Sequence, residues 1–159
     1  MMDKKDRISH SLDVKCLKSR LKLILSFYIG LLILGCIFGV VVFWGFPKEQ
    51  PKAILYVTIL FTTCYLPAVI YYVWKIVNIV KRYESYFYCE TILSEPHSEH
   101  GRYYFDVCLE FCGNNIKSKT AAIFNDASSY AGVYDWINKK VIVAYDSEND
   151  MVLIIDKVS

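Results

Sequence analysis

Two unbroken apolar stretches followed by an alternating pattern divide this chain. Residues 23–46 form a run of 24 positions without a charge, and residues 53–74 a second run of 22. Roughly 20 helical residues cross the hydrocarbon core of a bilayer, so the pattern predicts two transmembrane helices, about 23–46 and 53–80. The segment between them is short, and Pro47 and Pro51 suit a turn. Neither run has the short apolar region and small-residue cleavage site of a secretory signal, so the first is expected to be retained. Residues 75–82 are expected to carry the second helix onward as a stalk.

From residue 85 the period becomes two, the spacing of half-buried strands. In 102–111, Tyr103, Phe105, Val107, Leu109 and Phe111 share one face, while Arg102, Tyr104, Asp106, Cys108 and Glu110 share the other. Further strands are expected at 86–94, 116–124, 140–145 and 151–155. Breaker-rich segments separate them at 95–101, 112–115 and 146–150, and 125–138 reads as a loop or one short helix. The expected fold class is an α+β membrane protein: a two-helix transmembrane hairpin, then a small five-stranded antiparallel β meander or open barrel. A β domain of this size has a marginal core, so the anchor or self-association is expected to support it.

Composition agrees with a chain divided between two solvents. Hydrophobic residues make up 55%, mean hydropathy is +0.29 and charged residues make up 21%. The net charge of +2 conceals an asymmetry. Residues 1–22 hold Lys4, Lys5, Arg7, Lys15, Lys18, Arg20 and Lys22 against Asp3, Asp6 and Asp13, whereas acids outnumber bases from Arg82 onward. By the positive-inside rule both termini are expected to be cytoplasmic, with the 47–52 loop outside. Tyr71, Tyr72 and Trp74, and Trp44 with Phe46, supply interfacial aromatic residues. The expected parts are a basic cytoplasmic tail at 1–22, helices and stalk at 23–82, and a cytoplasmic β domain at 83–159. An acidic domain repels duplex nucleic acid, so no such partner is expected.

Chemistry-bearing residues are few. The apolar runs contain no ionisable acid, base or histidine, which excludes the proton relays of active transporters. Gly35 and Gly39 lie four apart on one helix face and suit either an oligomer seam or packing within the hairpin. Pro67 is expected to kink the second helix, with Thr62 or Thr63 satisfying the freed carbonyl. The six cysteines lack zinc spacing. His97 and His100 flank a turn-like segment, so neither a metal nor any other cofactor is expected. Ser128 and Ser129 near Asp126 and Asp135 lack an adjacent base, so catalysis is not expected. Lys117 and Lys119 share a strand face with Arg102 on the adjoining strand. With Asn125, Ser128, Ser129 and Tyr130 at its border, and Tyr134 or Trp136 to stack on a base, this patch is the candidate phosphate site.

The segments Val107–Phe111 and Val133–Ile155, behind two N-terminal spans, resemble a bacterial family of short two-span membrane proteins of unknown function with a C-terminal cytoplasmic β domain. That resemblance implies a fold and no activity. The general plan is also similar to small antiviral membrane effectors of the CRISPR and CBASS type, which respond to cyclic nucleotides. The expected function is therefore a non-enzymatic, homo-oligomeric membrane effector whose β domain binds a small anionic ligand, a cyclic nucleotide or oligonucleotide. The alternative is an accessory protein that docks a partner protein through a sheet edge.

Overall fold

A computed structural model describes residues 3–42, 50–100, 102–111, 113–124 and 133–158. Its helices are α1 (Lys4–Ser9), α2 (Leu12–Val42) and α3 (Gln50–Lys81). The strands are β1 (Phe87–Ile92), β2 (His97–Glu99), β3 (Arg102–Tyr104), β4 (Asp106–Phe111), β5 (Asn114–Lys119), β6 (Ile123–Phe124), β7 (Lys140–Asp146) and β8 (Met151–Lys157). A 3-10 turn covers Val133–Trp136. The chain divides into two compact units, Arg20–Lys75 and the combination of Met1–Ser19 with Ile76–Ser159.

The Arg20–Lys75 unit is an antiparallel pair formed by parts of α2 and α3, both long and apolar enough to cross a membrane. Leucines, isoleucines and aromatic rings stay exposed along both helices, among them Phe27, Leu34, Phe38, Tyr56, Leu60 and Trp74. The expected loop at 47–52 and the outer aromatic residues Trp44 and Phe46 fall largely or wholly outside the described residues. The contacts between the helices are specific. Tyr28 and Thr62 share a hydroxyl hydrogen bond of 2.8 Å, and the Tyr28 ring lies 5.8 Å from that of Tyr65. A Cβ at Gly35 would collide with Val57 Cγ1, and one at Gly39 would stand 3.3 Å from Ile54 Cγ1. Both glycines thus serve the hairpin itself, the second of the two uses their spacing allowed. Helix α3 continues through Pro67. Thr63 donates to the Ile59 carbonyl and Thr62 bonds Tyr28, so neither hydroxyl serves the carbonyl that Pro67 frees.

In the larger unit the alternation of 102–111 appears as expected. Phe105, Val107 and Leu109 are buried, Tyr103 and Phe111 pack against the same core, and Arg102, Asp106, Cys108 and Glu110 are exposed. The expected long strands carry one local defect. Asp106 pairs with Lys119 and Phe105 exchanges hydrogen bonds with Thr120, but Tyr103 faces Ile123, a slip of one residue. Such a bulge bends a strand. Here it lets Ala121 donate to the Val152 carbonyl at 2.9 Å, and Thr120 forms a parallel bridge to Val152. The segment 95–101, expected as a loop, holds β2 paired with β3, with His100 at φ 51 in the turn.

The connections are not those of a simple meander. Strand β1 forms its ladder with the distant β7, which pairs in turn with β8. Towards β4, β1 and the residues after it offer side chains: Thr91 Oγ1 donates to the Cys108 carbonyl at 3.2 Å and Ser94 Oγ to the Asp106 carbonyl at 3.3 Å. Five strand segments therefore surround one core in the order β1, β7, β8, β5, β4, without a continuous ladder at the β4/β1 and β5/β8 seams.

The segment before the first apolar run, expected as a basic tail, is helical and largely buried on its apolar side. Ile8, Leu12, Val14, Cys16 and Leu17 are each no more than 5% exposed, and Leu12 and Cys16 enter the β core. Its basic residues Lys4, Lys5, Arg7, Lys15 and Lys18 are exposed. Asp13, at 3% exposure, accepts a 2.8 Å hydrogen bond from the backbone N–H of Ile154 in β8. At the β7–β8 turn, Arg82 Nη2 reaches the buried Asp146 carboxylate at 3.0 Å and also pairs with Glu148. Asp146 further accepts from Glu148 N–H and Asn149 Nδ2, which builds the 146–150 turn.

Three outcomes are expected. Asp13→Ala leaves the Ile154 donor buried without its acceptor and should lower the stability of the full chain in detergent by about 1–3 kcal/mol, with Asp13→Asn losing less; equal stability of all three chains in thermal unfolding contradicts the contact. Gly35→Ile should separate the paired helices, seen as loss of cross-linking between cysteines placed at positions 32 and 61; Gly30→Ile, where a Cβ meets nothing, should not.

The third concerns pH. Burial, with the Asp146 carboxylate adding to it, pushes the Tyr86 hydroxyl up to about 12. The folded chain holds this proton more tightly than the unfolded chain, whose tyrosine ionises near 10.0. The resulting stabilisation is complete below the unfolded value and is lost as pH rises toward the folded one. Tyr86→Phe should flatten the decline in melting temperature between about pH 10 and about pH 12.

Candidate functional site

The lysine patch lies on the outer face of the β4–β5 hairpin. The turn uses Gly113 at φ 78, a conformation that favours glycine. Antiparallel register then sets Lys117 opposite Cys108 and Lys119 opposite Asp106, all four exposed. Ser118, between the two lysines, is buried and donates to Asp150 Oδ1 at 2.9 Å. Tyr145 donates to the same oxygen at 3.3 Å. Burial, reinforced by the Asp150 carboxylate, holds the Tyr145 hydroxyl above its ordinary range. Together Asp106, Val107, Cys108, Lys117, Ser118, Lys119 and Asp150 line an open recess of about 790 Å³.

Its rim comes from β2. Glu99 Oε1 lies 3.9 Å from Lys119 Nζ, and His97 Nδ1 lies 3.5 Å from Asp106 Oδ2. His97 stacks on Tyr104 at 5.8 Å with the rings tilted by 20°. Lys119 and Asp106 thus have partners of opposite charge, while Lys117 has no ion pair among the described residues. The recess presents both signs of charge, with one ammonium group available to a ligand.

The remaining expected residues fall elsewhere. Arg102 stands on β3, opposite Glu99 and Phe124 in register. Trp136, expected to stack on a base, instead packs against the core with Lys157 Nζ 4.8 Å from its ring centroid. Asn125, Ser128, Ser129 and Tyr130 lie outside the described residues, as does the side chain of Tyr134. Asp150, Glu99, His97 and Asp106 are the polar groups that the sequence reading did not assign to the patch. The signal for Asp106 was available, because it shares the outward face of the alternating strand. Asp150 and His97 reach the patch through the turn and the hairpin that precede β8 and β3.

The chain matches no family model, no curated protein and no solved structure.

Proposed function

We propose that this chain is a membrane-anchored, non-enzymatic sensor whose β unit binds a small phosphate-bearing ligand at the β4–β5 recess. In this reading α2 and α3 cross a bacterial inner membrane, the β unit is cytoplasmic, and copies associate through the helices. The single observation that carries it is the recess holding Lys117 and Lys119 on the second hairpin of a partly open five-strand arrangement. In five-stranded, partly open barrels that bind oligonucleotides and oligosaccharides, ligands lie on the second and third strands, between the loops joining strands one to two and four to five. Counting β3–β4 and β5–β6 as the second and third strands, the corresponding parts here are β4, β5, the 93–101 segment and the 146–150 turn.

The mixed lining favours a ligand that carries neutral hydrogen-bonding edges as well as phosphate, as a cyclic dinucleotide or cyclic oligoadenylate does. A bare polyanion gains less beside Asp106, Glu99 and Asp150. The 146–150 turn supplies a route for a signal. Asp150 lines the recess, while Asp146 of the same turn is held by Arg82, next to the last residue of α3.

Calorimetric titration of the full chain in nanodiscs with cyclic dinucleotides and cyclic oligoadenylates tests the proposal. Binding by at least one of them is expected, weakened roughly tenfold for each lysine removed in Lys117→Gln and Lys119→Gln. Absence of binding by every ligand, or affinity unchanged in the double variant, rejects it in favour of a protein-docking role.

A further inference from the structure

A second basic recess lies on the same unit, where α1 and the start of α2 rest against the β7–β8 hairpin. Its volume is about 360 Å³, and its lining is Arg7, His10, Lys15, Ile142, Ile155 and Asp156. Two cationic donors, Arg7 and Lys15, therefore meet one carboxylate, and that carboxylate already accepts the Lys157 N–H at 2.9 Å. Neither Arg7 nor Lys15 has an ion pair among the described residues.

The local fold prepares these groups. His10 Nδ1 donates to the Asp6 carbonyl at 2.8 Å, so in the neutral ring Nε2 carries the lone pair and can accept from the P–OH of a phosphate monoester monoanion. Lys18 Nζ donates to the Ser9 carbonyl at 3.1 Å and so ties α2 to the end of α1. Asp13, the acid nearest Lys15 in sequence, is buried and bonded to Ile154 and does not line the recess. In sequence, Lys15 precedes the long apolar run at residue 23 by only eight positions.

We propose that the Arg7–His10–Lys15 recess is a binding site for a phosphate monoester. The guanidinium of Arg7 takes two phosphate oxygens in its planar fork and the Lys15 ammonium adds a point charge, while Ile142 and Ile155 provide an apolar wall for the carbon adjoining the ester. The same chemistry is offered by a lipid headgroup, phosphatidic acid, and by a soluble phosphate such as glycerol 3-phosphate. The site is separate from the β4–β5 recess and does not depend on its ligand.

The test is lysine-acetylation footprinting of the full chain, read by mass spectrometry, in nanodiscs of phosphatidylcholine alone, the same nanodiscs with added glycerol 3-phosphate, and nanodiscs containing phosphatidic acid. Lys15 acetylation should slow several-fold in at least one of the latter two samples, with Lys5 and Lys117 unaffected, and the sample that shows protection identifies the source. Arg7→Gln should remove the protection while Lys117→Gln/Lys119→Gln retains it. An unchanged Lys15 rate in both samples overturns the proposal, as does equal protection in Arg7→Gln. The wild-type comparison stands even where the Arg7 variant does not fold.

Discussion

The β unit of this chain depends on a helical cover whose position is fixed by one buried carboxylate. Strands β7 and β8 bury residues on both faces: Val143, Val152 and Ile154 join the β core, while Ala144 and Leu153 are fully buried outside it. A hairpin apolar on two sides requires a second layer. Residues 4–19 bury Ile8, Leu12, Val14, Cys16 and Leu17 within the same unit, with Leu12 and Cys16 in the core cluster and Asp13 on the amide of Ile154. A buried carboxylate without hydrogen bonds is strongly unfavourable, so the contact admits little variation in how this segment meets β8. The marginal core expected for so few strands is thus enlarged from the chain's own N-terminal end.

A second buried carboxylate, Asp146, organises the β7–β8 turn. Asp146 is 1% exposed and accepts three hydrogen bonds, from Arg82 Nη2, Glu148 N–H and Asn149 Nδ2, the first of them also an ion pair. Removing one partner from such a network leaves the rest of it under-compensated. The turn it holds also carries Asp150, which receives Ser118 and Tyr145 beside the lysine recess. The end of α3, the turn and the recess consequently form one connected set of polar contacts.

Much of this was legible in the sequence. The two apolar runs, the alternation from Tyr103 to Phe111, the turn at Gly113 and the terminal hairpin all follow from local periodicity, and the structure has each of them. The ladder between β1 and β7 was not legible, because nothing local distinguishes it from pairing with the next strand. The N-terminal cover was obscured by charge. Counting Lys and Arg in 1–22 emphasises orientation, yet Ile8, Leu12, Val14, Cys16 and Leu17 interrupt those charges and give the two helical segments their buried surface. The unbroken apolar character of 141–144 and 151–155 was the complementary signal, since strands covered on both faces lose their alternation. Of the lysine site, strand parity places Lys117 and Lys119 on one face, while Trp136 packs partly buried against the core.

Hydrogen exchange of the full chain in nanodiscs tests most directly whether residues 4–19 belong to the β unit. Amides of 12–19 and of 151–157 should show comparable protection and lose it together as denaturant is raised. Rapid exchange of 4–19 as an unprotected tail, with β7 and β8 still protected, contradicts the helical cover and the role assigned to Asp13.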